Sequence, residues 1–245
     1  MRFKCSLPPM INVLLKLAAA RLLKKNYGWL TLTGWASFSL ASAWYSTHWN
    51  SSPAVERALV AGYATLAVPF LEWEMTKAIL VEKNVMQAAH TITCWGLIPL
   101  EAYFYHLCLL FGASSLVCGG LGALTCYVAH GLSTSPLGDM LTTARVGALA
   151  GASYAAYFLI GSTGKRPALG QTLLLFIDWF LPSTTGLRAA ITPRAHFHNL
   201  LGVPPLSFCS QPASTVVLTL WIGGGTLFTL LRFCCSRSSN ATRTD

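Results

Sequence analysis

The chain has 245 residues, of which 53% are hydrophobic and 10% charged, and its mean hydropathy is +0.52. That is too apolar and too poor in charge to coat an ordinary soluble domain, so the composition predicts a membrane protein. The net charge of +9 does not read as a nucleic-acid signature, because the N-terminal cations interleave with aliphatic residues and not with stacking aromatics.

No acid precedes Glu56, and before it stand Arg2, Lys4, Lys16, Arg21, Lys24 and Lys25. Residues 1–27 therefore read as a basic, roughly amphipathic tail of the mitochondrial presequence type, with a basic cytoplasmic tail beside another membrane as the competing reading. A membrane helix needs about 20 mainly apolar residues. By that measure the clearest spans are 105–129, 144–162 and 214–231. The segments 28–45, 54–71 and 168–182 are weaker, the last two being short and carrying Glu56 with Arg57, and Asp178. The stretch 85–104 is broken by Pro99 and Glu101 and reads as an interfacial or tilted extension. Residues 183–213 read as a loop, and 214–245 as a final span with a basic tail.

Orientation follows from the Lys and Arg of the short connections. With the tail 1–27 on the positive side and 85–129 crossing once, Lys77, Lys83, Lys165, Arg166, Arg232, Arg237 and Arg243 share one side, and Arg188 and Arg194 fall on the other. The glycosylation patterns at Asn50 and Asn240 then lie on opposite sides, so at most one of them can be modified.

In lipid, helices associate by close packing, which favours small residues four apart. Ser115, Gly119 and Ala123 form one such row. Gly147, Gly151 and Ala155 form a second, and Ala144, Ala148, Ala152 and Ala156 a third beside it. Ala54, Ala58 and Gly62 make a shorter one. Between the first two rows, "HGLSTSPLGD" supplies Gly131, Pro136 and Gly138 to reverse the chain, which predicts a close antiparallel hairpin.

The stretch "TCYVAHGLSTSPLGDMLTTARVGALAG" carries Thr125, Cys126, Ala129, His130, Pro136 and Leu137 ahead of a glycine-spaced helix. Over Leu121 to Gly151 it resembles the Tim-type accessory subunits of mitochondrial respiratory complex I, relatives of the inner-membrane protein-import channels. The resemblance implies a four-helix membrane core over 54–182, with the connection between its second and third helices facing the intermembrane space. Segments 28–45, 85–104, 183–213 and 214–231 have no counterpart in that pattern.

Reactive chemistry is sparse. His196 and His198 stand two apart without a third ligand at a telling distance before Cys209, and read as a solvated or packed pair. His90, His106 and His130 have nothing to fix two of them as haem ligands, and His130 reads as the polar end of its helix. Cys94, Cys108, Cys118 and Cys126 sit in apolar runs as small hydrophobes, giving no disulfide or zinc spacing. Glu101 and Asp178 are the carboxylates a transporter would use, yet both lie near enough to helix ends to reach water. No nucleophile elbow or phosphate-binding glycine loop occurs.

The sequence thus predicts an all-α, polytopic transmembrane bundle with a Tim-like four-helix core and extra helices at both ends. The expected role is noncatalytic: an accessory subunit of the membrane arm of complex I in the mitochondrial inner membrane. Its expected partners are other membrane subunits of that complex and anionic lipid such as cardiolipin, with no nucleic acid, metal or catalytic residue. The rival expectations are a subunit of the protein-import translocase and a small-solute transporter.

Overall fold

The structure is a computed structural model, and it describes residues 28–49, 58–80, 87, 98–130, 137–181, 191–202 and 209–241. Among these residues the chain is all-helical. α1 spans Gly28–Trp49; a π-helical stretch, Ala58–Ala67, runs unbroken into α2, Val68–Leu80. α3 is Pro99–His130, α4 Leu137–Gly161, α5 Pro167–Phe180, α6 Pro193–Leu200 and α7 Gln211–Ala241. Two of them, α3 and α7, are long and apolar enough to cross a membrane by length and composition. Their apolar side chains are only partly used by the core, with Leu116 on α3 77% exposed and Leu220 on α7 65% exposed.

α4 is the axis of the molecule. Every residue from Ala150 to Leu159 is buried, which small and aromatic side chains in alternation allow. α3, α7, α5, α2 and α6 all pack on it. α3 lies antiparallel, since Gly119 meets Ala144 and Ala148 while Gly151 meets Ser114. α7 runs parallel, its Leu218 carbonyl accepting a hydrogen bond from Ser153 Oγ at 3.1 Å and its Gly225 lying against Ala156. α5 turns back at the close Gly161–Gly170 crossing, and Tyr157 donates to the Leu174 carbonyl at 3.0 Å. α1 packs on the π stretch, on α2 and on α3.

Local chemistry explains the irregular elements. Pro69 has no N–H to give the carbonyl four residues back, and that carbonyl, of Thr65, instead accepts from Trp179 Nε1 on α5 at 3.4 Å. The π stretch sits immediately before this proline, where Thr65 Oγ1 donates five residues back to the Val60 carbonyl at 2.6 Å. α5 and α6 both begin with proline in the first turn, where a missing donor costs nothing. α6 ends ahead of Gly202, whose φ of +88° suits glycine.

Most of the described lysines and arginines lie toward one end of the bundle, together with Glu74 and Glu101, while Arg145 and Arg194 lie away from it. Ile79, Leu80, Leu159 and Phe233 share one core cluster with Tyr103 and Leu107, so the C-terminal parts of α2, α4 and α7 meet the first turns of α3 at one end. Lys77, Lys165, Arg166 and Arg232 all belong to that end.

The elements differ from the sequence reading in several places: α1, α4 and α7 are longer than the expected spans 28–45, 144–162 and 214–231, and three further differences have a clear cause. The connection expected after 71 is helical to Leu80, because Leu71, Met75 and Ile79 repeat at helical spacing and are buried. α3 starts at Pro99 and so takes in the end of the expected extension. Within the expected loop 183–213 lies α6, whose side chains are buried from Pro193 to Asn199. The turn with Gly131 and Pro136, the presequence-like tail, His90 and Cys94 lie outside the described residues.

Candidate functional site

The most extended close contact between helices is the seam between α3 and α4, where three glycines meet backbone atoms. A Cβ at Gly151 would stand 2.7 Å from the Ser114 carbonyl oxygen, one at Gly147 2.9 Å from that of Cys118, and one at Gly119 2.9 Å from that of Ala144. These are backbone atoms, so only glycine fits. Ser115 Oγ donates to the Ala148 carbonyl at 3.1 Å. The rows therefore interlock with an offset: Ser115 and Gly119 meet the alanine row of α4, while Gly147 and Gly151 meet Ser114 and Cys118. Ala123 is half-buried. Ala155 is fully buried in the cluster with Leu107, Leu110 and Phe233.

Tyr63, from the π stretch, locks the seam. Its ring is fully buried and stacks edge-on with Phe197 of α6 at 5.6 Å, and its hydroxyl donates to the Cys118 carbonyl. The hydroxyl sits in the notch left by Gly122 and Gly147, so a phenol is threaded between two helices at the point where both lack side chains. Nothing in the spacing of α3 and α4 marks Tyr63, since it lies more than 50 residues upstream of its acceptor.

A second contact on α3 is made by a buried carboxyl group of α2. Glu72 of α2 is fully buried and accepts from Ser114 Oγ at 2.6 Å and from Cys118 Sγ at 3.0 Å. One turn further on, Thr76 is equally buried, and its hydroxyl has no hydrogen-bond partner among the described residues. Sequence reasoning passed over Glu72 because it stands among Glu74, Lys77 and Trp73 at what looked like a surface connection. Glu74 and Lys77 do pair there, at 3.2 Å, with Lys77 over the Trp73 ring.

On the opposite side of α4 the contact is polar. Asp178 is fully buried, contrary to the expectation that it reaches water, because α6 closes over the end of α5. Tyr154 donates to Asp178 Oδ2 at 2.9 Å and the Arg194 backbone N–H to Oδ1 at 3.3 Å. The Arg194 guanidinium donates to the Trp179 and Leu181 carbonyls at 3.1 and 2.6 Å, so it holds the frayed end of α5 while its charge offsets that of Asp178. Glu101, by contrast, is exposed in the first turn of α3.

His196 and His198 are buried members of α6, held by hydroxyls. Asn199 Nδ2 donates to Ser214 Oγ at 2.7 Å and to the Cys209 carbonyl at 3.0 Å, and the same Ser214 hydroxyl hydrogen-bonds His196 Nδ1 at 3.0 Å. His198 Nε2 meets Thr65 Oγ1 at 3.1 Å. That hydroxyl already gives its hydrogen to Val60, so His198 donates. Burial, with the Arg194 charge second, lowers the His198 imidazole to about 4 and keeps it neutral.

The motif residues at the other end of the seam also pair. Thr125 Oγ1 bonds Ser39 Oγ of α1 at 2.8 Å and donates to the Leu121 carbonyl. Ala129 packs on Ala43 and Ala58, and Leu137 opens α4 with 62% exposure. His130 faces oxygen with both ring nitrogens, the Cys126 carbonyl at 3.0 Å and Asp139 Oδ2 at 3.1 Å, which clasps the first turn of α4 to the last turn of α3. The buried Cys126 thiol lies 3.6 Å from the same Nδ1, which already serves the carbonyl. Among the described residues no group of three or more His, Cys, Asp or Glu is placed to hold a metal. Compared with protein-family models, with curated proteins and with solved structures, the chain matches none.

Proposed function

We propose that this chain is a multi-pass helical scaffold of the mitochondrial inner membrane, a noncatalytic accessory subunit that supports the membrane arm of respiratory complex I. The single observation that carries the scaffold reading is the α3–α4 seam, where three glycines bring two backbones into contact and leave no room for a moving part. The large exposed aliphatic surface of α3 and α7 favours lipid and membrane neighbours over water. The gathering of Lys77, Lys165, Arg166 and Arg232 at one end favours a matrix-facing end. The choice of complex I rests on the Tim-type resemblance of Leu121 to Gly151, and cardiolipin or another anionic phospholipid is the expected bound lipid.

The test is native electrophoresis of mitochondrial membranes. The chain should co-migrate with NADH dehydrogenase activity, and Gly147→Leu and Gly151→Leu should release it from that assembly. Crosslinking to an arrested import substrate would replace this reading with the import translocase. A mobility shift on deglycosylation would remove the mitochondrial assignment.

One observation favours a second reading, small-solute transport: Glu72 is a fully buried carboxylate served by a hydroxyl and a thiol, and carboxylates at membrane depth are costly and usually functional. Under that reading Glu72→Gln abolishes a measurable flux in reconstituted vesicles while assembly is intact. Under the scaffold reading it changes neither flux nor assembly.

A further inference from the structure

The scaffold uses one face of α7 and leaves another open. Between α4 and α7 runs an apolar groove lined by Ile160, Ile191, Val217, Leu220, Trp221 and Gly224. Two adjacent glycines divide the labour. A Cβ at Gly225 would stand 3.0 Å from the Ala156 carbonyl oxygen, so this glycine lets α7 approach α4, whereas a Cβ at Gly224 would meet nothing within 4 Å. Gly224 is therefore a notch facing outward, and its lack of a side chain has no packing reason inside the chain.

Val217, Trp221, Gly224 and Phe228 follow one another at helical spacing on one stripe of α7, and Arg232 continues it with its guanidinium 5.9 Å from the Phe228 ring. From Val217 to Phe228 the helix rises about 16 Å, which matches one leaflet of a hydrocarbon layer about 30 Å thick. One turn beyond Phe228 the surface becomes cationic. Arg232 is exposed there, as are Lys165 and Arg166 in the turn that follows Ile160 and Gly161. Neither of the ion pairs formed among the described residues involves them. An apolar groove whose α7 stripe continues through Phe228 to Arg232, toward the end of the bundle that also carries Lys165 and Arg166, complements a molecule with a long hydrocarbon tail and an anionic head.

We propose that this groove binds an acidic phospholipid, one acyl chain lying along Val217 to Phe228 over the Gly224 notch and the phosphate meeting Arg232, Lys165 and Arg166. The inference rests on the membrane reading above and gives it a defined lipid site.

Trp221 lies in the groove and reports on it. The full-length chain is reconstituted into nanodiscs of phosphatidylcholine in which either a fraction of the phosphatidylcholine or added phosphatidylglycerol carries brominated acyl chains, and the Trp221 contribution to fluorescence is isolated with Trp221→Phe. Brominated phosphatidylglycerol should quench Trp221 at an apparent concentration several times lower than brominated phosphatidylcholine. Each of Arg232→Gln, Lys165→Gln and Arg166→Gln should remove part of that preference, and the triple substitution should abolish it. Gly224→Leu should abolish the Trp221 quenching without lowering the thermal midpoint, because the new side chain enters open space. Equal quenching by the two headgroups, quenching that survives Gly224→Leu, or a Trp221 that neither lipid reaches in an inserted protein would each overturn the proposal. A chain that does not float with vesicles overturns the membrane reading itself, which separates the two failures.

Discussion

The two sides of α4 solve the same packing problem by opposite means. Toward α3 it presents Gly147 and Gly151, and the helices touch through backbone atoms. Toward α5 and α6, beyond the glycine crossing of Gly161 and Gly170 at the turn, it presents Tyr154 and Tyr157, and the helices are held apart by rings whose hydroxyls reach a buried carboxylate and a carbonyl. The first contact depends on side chains being missing and has no tolerance for atoms added. The second depends on donors and acceptors being matched and has no tolerance for a partner removed.

That contrast can be broken from either side. The largest effect is expected on the glycine side: Gly151→Leu forces backbone apart at Ser114 and should cost more than about 3 kcal/mol, read as failure to accumulate or a collapse of the thermal midpoint in detergent. Gly120→Leu, on the same helix as Ser114 but with open space at its Cβ, should change the midpoint little. On the polar side, Arg194→Met leaves Asp178 buried without its compensating charge, at a cost of about 3 kcal/mol. Adding Asp178→Asn should restore part of that loss in a double-mutant cycle, and a cycle without coupling would refute the charge compensation. Smaller still, Tyr63→Phe removes only the hydroxyl from the notch and should cost about 1 kcal/mol. The subtlest test is pH. His198 is neutral when folded down to about 4, while an unfolded histidine titrates near 6.5. The unfolded chain therefore binds more protons between these values, and stability is full above about pH 6.5 and declines as the pH falls toward 4. Thermal midpoints at pH 7.5 and 5 should differ, and His198→Asn should narrow the difference.

The two sides also differ in what the sequence discloses. Residues four apart on one helix announce their shared face, so Ser115 with Gly119 and Gly147 with Gly151 can be picked out from spacing alone, and apolar length marks α3 and α7. Spacing does not disclose which row meets which, and the one-residue offset that sets Gly147 and Gly151 against Ser114 and Cys118 arises from the packing of the whole bundle. The polar side has no periodic signal. Asp178 and Arg194 are 16 residues apart on different helices, and the residues around them read as a loop because α6 is only 8 residues long and rich in polar groups. Glu72 was hidden for a related reason. Its neighbours Glu74 and Lys77 carry the pattern of a hydrated surface, and only the third dimension distinguishes the face that turns inward.

The wide-turned stretch Ala58–Ala67 sets a phase as well as a path. A π turn takes up more residues than an α turn, so rewinding these 10 residues as an ordinary α-helix would rotate everything on their N-terminal side relative to α2. Tyr63 would then point away from Gly122 and Gly147, and Gly62 away from Ser42 of α1. The bundle's keystone is thus indexed by a miscount in the helix that carries it, and a proline placed just after the miscount keeps it where it is.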